Sequence, residues 1–227
     1  LIHNGGLVKT KQFGDPKYVG DPLNAVKIFN EKSVDELIVL DIDATTHKRA
    51  PDIDLIRKLA FECRMPFCYG GGVTTVQQAK EIIRAGAEKV AISAAAIDTP
   101  DLLRHMGDVV GKQSVIVVLD IREKRSFFGA STYSVYTRNG KVAAKRSLEE
   151  ILQQMQEIGV GEIVVNSIDR DGMMEGYDLK LATFVRERTD VPLTVLGGAG
   201  SLDDIKRLTN QFGVIGAAAG SLFVFKG

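Results

Sequence analysis

Apolar, β-branched runs recur along the chain with room for one helix between successive runs. "ELIVLDI" (36–42), "KVAIS" (89–93), "SVIVVLD" (114–120), "EIVVNSI" (162–168) and "VPLTVLGG" (191–198) show little polar alternation. That predicts strands buried on both faces, the habit of parallel sheets. Between them lie stretches with apolar residues at helical spacing and start signals of Ser, Thr, Asp or Pro: "DPLNAVKIFNEKS", "APDIDLIRKLAFEC", "TTVQQAKEIIRAG", "TPDLLRHMG", "SLEEILQQMQEIG" and "SLDDIKRLTNQFG". Pro22, Pro51 and Pro100 stand where a first helical turn tolerates them, and Gly86, Gly159 and Gly213 are placed to close helices. Strands are expected near 1–2, 36–42, 66–69, 89–93, 114–120, 162–168, 192–196 and 214–219.

The first half recurs in the second at a constant offset of 126: Glu36 maps to Glu162, Asp43 to Asp169, Pro66 to Pro192, and Gly71 and Gly72 to Gly197 and Gly198. Two similar halves of four strand–helix units make an eight-stranded α/β barrel, (β/α)8, with an internal two-fold half-barrel repeat the natural closure. A doubly wound open sheet has no need of such correspondence. The expectation is a single barrel domain over 1–227, with the start of strand one and the last helix lacking.

Composition narrows the partners. With 29 basic and 29 acidic residues the net charge is zero, so neither nucleic acid nor a membrane surface is expected as partner. Cys63 and Cys68 form no CxxC and flank the expected third strand, where they pack as small hydrophobes. No metal site is expected, nor a signal peptide or membrane span, and the simplest location is cytoplasmic. His3, His47 and His105 are scattered; His3 alone lies near a strand tip.

Chemistry in a barrel sits at the C-terminal ends of its strands. "SIDRDG" puts Asp169, Arg170, Asp171 and Gly172 at one such tip. "YGGGVTT" and "LGGAGS" place Gly71 and Gly72, and Gly197 and Gly198, between a strand and a helix start, where backbone N–H groups can cradle an oxyanion. Ser93 and Ala94 in "SAAA", and Gly220 and Ser221 in "AGSL", form a second symmetric pair of small-residue tips. A substrate with a phosphate at each end fits that symmetry, and the absence of Rossmann or Walker spacing argues against a nucleotide cofactor. At the opposite strand ends, Glu36, Lys89 and Glu162 open the second, fourth and sixth strands and are candidates for a polar ring across the barrel floor. "STYSVYTRNGK", within the long segment 122–147, alternates like a hairpin turning at Asn139-Gly140, a candidate lid.

Taken together, "DELIVLDIDAT", "PFCYGGGVTT", "GAEKVAISAAA", "VIVVLDI", "GEIVVNSIDRDGMMEGYD" and "LGGAGSLDD" resemble the cyclase subunit of imidazole glycerol phosphate synthase over nearly the whole chain. The resemblance implies a bis-phosphorylated substrate, ammonia from a glutaminase docked on the barrel floor, and Glu36, Lys89 and Glu162 as an ammonia gate. It also implies general acid and base aspartates at the tips of strands one and five. Asp120 matches the second, but the stretch "LIHNGGLVK" puts Leu1 where the first belongs. Ser93 stands in place of a phosphate-binding asparagine, and Met173 to Glu175 replace a more polar loop.

These departures are similar to a paralogous group that accompanies a glutaminase paralogue and a sugar amidotransferase in surface-polysaccharide (O-antigen) synthesis. The resemblance then implies delivery of ammonia for making an acetamidino sugar, with Asp120 and Asp169 lining the cavity. Two alternatives stand beside it. One is a true cyclase of histidine biosynthesis in which Asp169 or Asp41 substitutes for the lost acid; the other is a non-enzymatic activator of a glutaminase.

Overall fold

The computed structural model describes residues 1–124 and 132–225, which divide into two compact units, one of 1–8 and 17–117 and the other of 9–16 and 118–227.

The first unit opens with β1 (Ile2–His3) and the stem of a hairpin formed by β2 (Gly6–Lys11) and β3 (Gly14–Gly20). Strand–helix alternation follows: α1 (Pro22–Glu31), β4 (Leu37–Leu40), α2 (Ile53–Glu62), β5 (Phe67–Gly70), α3 (Val76–Arg84), β6 (Lys89–Ile92), α4 (Ala94–Asp98), α5 (Asp101–Val110) and the start of β7 (Val115–Lys124). β4, β5, β6 and β7 pair in that order, all parallel. Ile56, Leu59, Phe67, Tyr69, Ile82, Leu103 and Met106 bury fully between strands and helices. Local sequence sets the helix starts. Asp21 caps α1 with Pro22 at its first position, and Thr75 and Gln78 close a reciprocal capping box on α3.

The second unit holds the rest of β7 and then β8 (Thr132–Thr137), β9 (Val142–Ala143), α6 (Leu148–Ile158), β10 (Glu162–Ser167), α7 (Leu179–Arg186), β11 (Leu193–Leu196), α8 (Leu202–Phe212), β12 (Gly216–Ala217) and α9 (Ser221–Phe225). β7, β10, β11 and β12 neighbour one another in sequence order. Ile121, Leu148, Ile151, Leu152, Met155, Ile163 and Val165 form its core. Ser147 and Glu150 box the start of α6, and Gly159 ends it in the left-handed conformation at φ 77°.

Most expected strands fall within two residues of their observed bounds, and the differences are local. Cys68 lies inside β5 rather than beside it, while Cys63 caps the end of α2. Pro51 precedes the cap residue Asp52, so it sits outside the first turn of α2. The hairpin around Asn139 is present, but its turn takes four residues, because Thr137 registers with Val142 and Arg138 joins Asn139 and Gly140 at positive φ. The part of that segment at 125–131 lies outside the described residues. Not foreseen were the β2–β3 hairpin, α7, whose start is capped by Asp178 on the Leu181 N–H, and the short α4 and α9 turns after small-residue strand tips.

The repeat extends to individual hydrogen bonds. Leu37 N–H donates to Pro66 O at 2.9 Å, and Ile163 N–H to Pro192 O at 2.9 Å. At the other strand ends Ile42 N–H donates to Ile2 O, as Ile168 N–H does to Ile121 O; Asn4 N–H donates to Asp43 Oδ2, as Glu123 N–H does to Asp169 Oδ2. Strand β1 thus corresponds to β7 at an offset of 119, which pairs Leu1 with Asp120 and His3 with Arg122.

Candidate functional site

In the second unit Asp120 stands where β7 reaches its tip, beside the tip of β10. Asn166, 6% exposed, donates from Nδ2 to Asp120 Oδ1 at 3.1 Å. Burial drives the Asp120 carboxyl up, the Asn166 bond opposes it, and the charge of Asp171 adds to it, leaving the group pushed up to about 7. A carboxylic acid in that range can both give and take a proton near neutrality.

Asp171 is held by the tip of the β2–β3 hairpin, Lys9–Pro16, which belongs to this unit. Thr10 Oγ1 donates to Asp171 Oδ2 at 2.6 Å and Phe13 N–H to the same oxygen at 3.2 Å; Gln12 N–H donates to Asp171 O at 2.9 Å. Burial raises the Asp171 carboxyl above its usual range against these two side-chain bonds and the charge of Lys9. Lys9 is itself only 8% exposed, an uncommon setting for a lysine. Asp171 therefore spends its carboxylate on the hairpin, and its N–H donates to Ser167 O. Asp169 accepts from Glu123 N–H at 2.8 Å and lies 3.8 Å from Arg122 Nε. It borders an open cleft of about 1050 Å³ lined among others by Gln12, Arg170, Tyr177, Lys180 and Arg207.

The glycine tips are equivalent in the two units. A Cβ on Gly71 (φ 120°) would come 2.4 Å from Asp41 O, and one on Gly197 (φ 97°) 2.8 Å from Ser167 O. Each glycine lets a strand tip pass against the preceding tip, whatever it later binds. Replacing Gly197 by alanine is expected to destabilise the second unit by about 2–4 kcal/mol from clash plus positive-φ strain, measured as a lowered urea midpoint. Gly72 and Gly198 also hold positive φ, and Gly172 faces Thr10 O across the hairpin contact. Ser93 occupies the cap position of α4 without a side-chain bond, Ala94 is that helix's first residue, and Gly220 and Ser221 lead into α9.

At the opposite strand ends, Lys89 Nζ donates to Glu36 Oε2 at 2.5 Å in the first unit, both side chains about three-quarters buried. Glu162, in the second unit, accepts from Thr194 Oγ1 at 2.6 Å. Among the described residues no cluster of His, Cys, Asp and Glu is arranged to hold a metal, and no helix is long and apolar enough to cross a membrane.

Sequence reading missed Lys9, Thr10 and Asn166. Asn166 left a signal, since with Ser167 it breaks the apolar run Ile163 to Val165 before the charged turn. Lys9 and Thr10 left none, because their meaning depends on a residue about 160 positions away.

Parallel strand–helix units, a twofold repeat and polar strand tips define an α/β barrel protein. The family model described as "Histidine biosynthesis protein" matches residues 1–227. The "Putative imidazole glycerol phosphate synthase subunit hisF3" of Vibrio vulnificus (strain YJ016) is 51% identical over 227 residues, all of this chain and 86% of the relative. The like-named hisF2 of Pseudomonas aeruginosa is 48% identical over 227 residues, covering 89% of it. The "Imidazole glycerol phosphate synthase subunit HisF" of Thermococcus onnurineus (strain NA1) is 33% identical over 222 residues, 98% of this chain and 86% of the relative. The chain belongs to the histidine biosynthesis protein family of (β/α)8 barrels, among its HisF-like members.

Proposed function

We propose that this barrel receives ammonia from a glutaminase partner and delivers it to a phosphorylated small molecule, as a divergent HisF paralogue serving the amidation of a surface-polysaccharide sugar. The observation that carries the reading is the Lys89–Glu36 pair, partly buried and close at the strand starts, kept in a chain whose repeat puts Leu1 opposite Asp120. An ion pair at that depth is an expensive way to fill a barrel floor and is suited to gating a small polar molecule. Ile28, Phe61 (88% exposed) and Val109 lie near the ends of α1, α2 and α5, the ends that lead into β4, β5 and β7. A partner seated on the barrel floor would cover them.

The glycine tips Gly71 and Gly72 with Ser93 and Ala94 in the first unit, and Gly197 and Gly198 with Gly172, Gly220 and Ser221 in the second, are the proposed phosphate contacts, and Glu162 is proposed as a gate residue of the second unit. Asp171 contributes by fixing the hairpin. No cofactor is required by this reading.

The test is nitrogen transfer in the complex with a cognate glutaminase. Lys89→Glu puts two carboxylates together where an attraction stood, a reversal of several kcal/mol even at an effective dielectric of about 20. Glutamine-dependent transfer is expected to fall by more than about tenfold while transfer from added ammonia persists. Glutamine hydrolysis and transfer both unchanged would exclude gating and leave a simple activator.

A second reading, cyclisation in histidine biosynthesis, has one observation in its favour: Asp120 keeps the environment of a working acid–base group. Growth of a histidine auxotroph lacking its own cyclase on this gene would establish it.

A further inference from the structure

The first unit carries a second acid–base constellation that neither the gate nor the phosphate tips use. His3 ends β1, two residues beyond Leu1. Its Nδ1 lies 2.7 Å from Asp43 Oδ1. A carboxylate only accepts, so Nδ1 carries a proton, and in the neutral tautomer Nε2 presents its lone pair to Asn4 Nδ2 at 3.0 Å.

Asp43 is built to hold that arrangement. It is 4% exposed, and its second oxygen accepts from the Asn4 N–H at 2.7 Å. Burial works to raise its carboxyl, but the Asn4 N–H, the His3 bond and the imidazole charge outweigh burial and keep it below the usual carboxylate range. Arg49 Nη2 stands 3.7 Å from Asp43 and 3.9 Å from Asp41, and His47 adds a further positive influence. Asp41 is itself spent on the N–H groups of Asp43 and Ala44. These are the charged groups around the imidazole, and they leave Asp43 ionised to orient it. The His3 side chain is 32% exposed, whereas its orienting partner is not. Among the described residues its bond to Asn4 is the only one on the outer nitrogen, and the Asn4 side chain is exposed and displaceable.

The repeat supplies an independent argument. The counterpart contact in the second unit is Arg122 with Asp169, a guanidinium that cannot release its proton. At the matching place in the first unit, beside the position where Leu1 replaces a titratable group, stands the one side chain type that exchanges protons readily near neutrality.

We propose that His3, oriented by Asp43, is the proton-transfer residue of the first unit, accepting a proton at Nε2 from an ammonium ion or other nitrogen-bearing ligand. The step balances. The ligand N–H bond breaks, the Nε2 lone pair forms the new N–H bond, free ammonia is left with its own lone pair, and the imidazolium returns the proton to solvent. The inference rests on the reading of the barrel as one that handles ammonia.

The experiment follows consumption of the bis-phosphorylated cyclase substrate with ammonium chloride by the full chain, alongside nitrogen transfer in the glutaminase complex. Wild type is expected to show slow turnover above buffer. His3→Gln, which can keep a bond to Asp43 but cannot take a proton, should lose about 10²-fold of it, in the range of general acid–base contributions. Asp43→Asn should lose activity in parallel by freeing the tautomer, seen directly in ¹⁵N spectra of the ring. Adding Leu1→Asp to His3→Gln should restore turnover, which also shows that the His3 variant folds. Turnover by His3→Gln at the wild-type rate overturns the proposal. So does absence of wild-type turnover at every pH while glutamine-dependent delivery continues, and that result leaves the delivery function standing.

Discussion

Replacing Leu1 by aspartate is expected to raise any ammonia-dependent turnover of the bis-phosphorylated cyclase substrate by about 10²-fold or more, the contribution of one positioned acid–base group. Ile2 and Ile121 accept equivalent backbone bonds, Asp43 and Asp169 accept equivalent N–H groups, and these matches place residue 1 in β1 where residue 120 stands in β7. The Asp120 carboxyl is pushed up to about 7 by burial, and its counterpart is a hydrocarbon. Paired groups with separate proton affinities permit acid and base steps in one turnover at neutral pH, and an aspartate at residue 1 would supply the first unit with a carboxyl beside the proposed proton-transfer residue His3. The gain is read as kcat with saturating ammonium chloride. A Leu1→Asp protein no faster than wild type would mean that the phosphate contacts or the hairpin, and not the missing carboxyl, set the limit.

The strand–helix order was legible because strands such as β7 are buried on both faces and read as unbroken apolar runs, and because helices such as α3 and α6 announce themselves with capping boxes. Leu1 was legible too, through the resemblance of "LIHNGGLVK" to the family's strand-one segment, whereas its correspondence to Asp120 at an offset of 119 rather than 126 emerged only from the hydrogen bonds of β1 and β7. Helix α7 was harder: "LKLATFVRER" follows a turn rich in Gly and Asp, and its cap, Asp178, looks like part of that turn. The β2–β3 hairpin was invisible because it has no alternating apolar face; its tip is fixed by polar bonds to Asp171. The pairing of His3 with Asp43 spans 40 positions, so His3 alone gave no hint of being an oriented base. Side chains whose role comes from a distant neighbour's charge or burial carry no local signature.

That distinction also decides what Asp120 does to stability. Its carboxyl holds a proton in the native state up to about pH 7, whereas in the unfolded chain it releases it near 3.8. Between those values the native state binds the extra proton, so the free energy of unfolding falls as pH rises through that window and levels off above it. At about 1.4 kcal/mol per unit of pKa difference, the accumulated loss is on the order of 4 kcal/mol by pH 8. Asp120→Asn removes the ionisation and keeps an oxygen for the Asn166 amide. It should match wild type in stability near pH 4 and exceed it by that amount at pH 8, in urea unfolding followed at both values. Its turnover should vanish at every pH, since an amide moves no proton. Parallel stability profiles for the two proteins from pH 4 to 8 would show that Asp120 is ionised and solvated in the native state, and the case for it as an acid–base group would fall with that result.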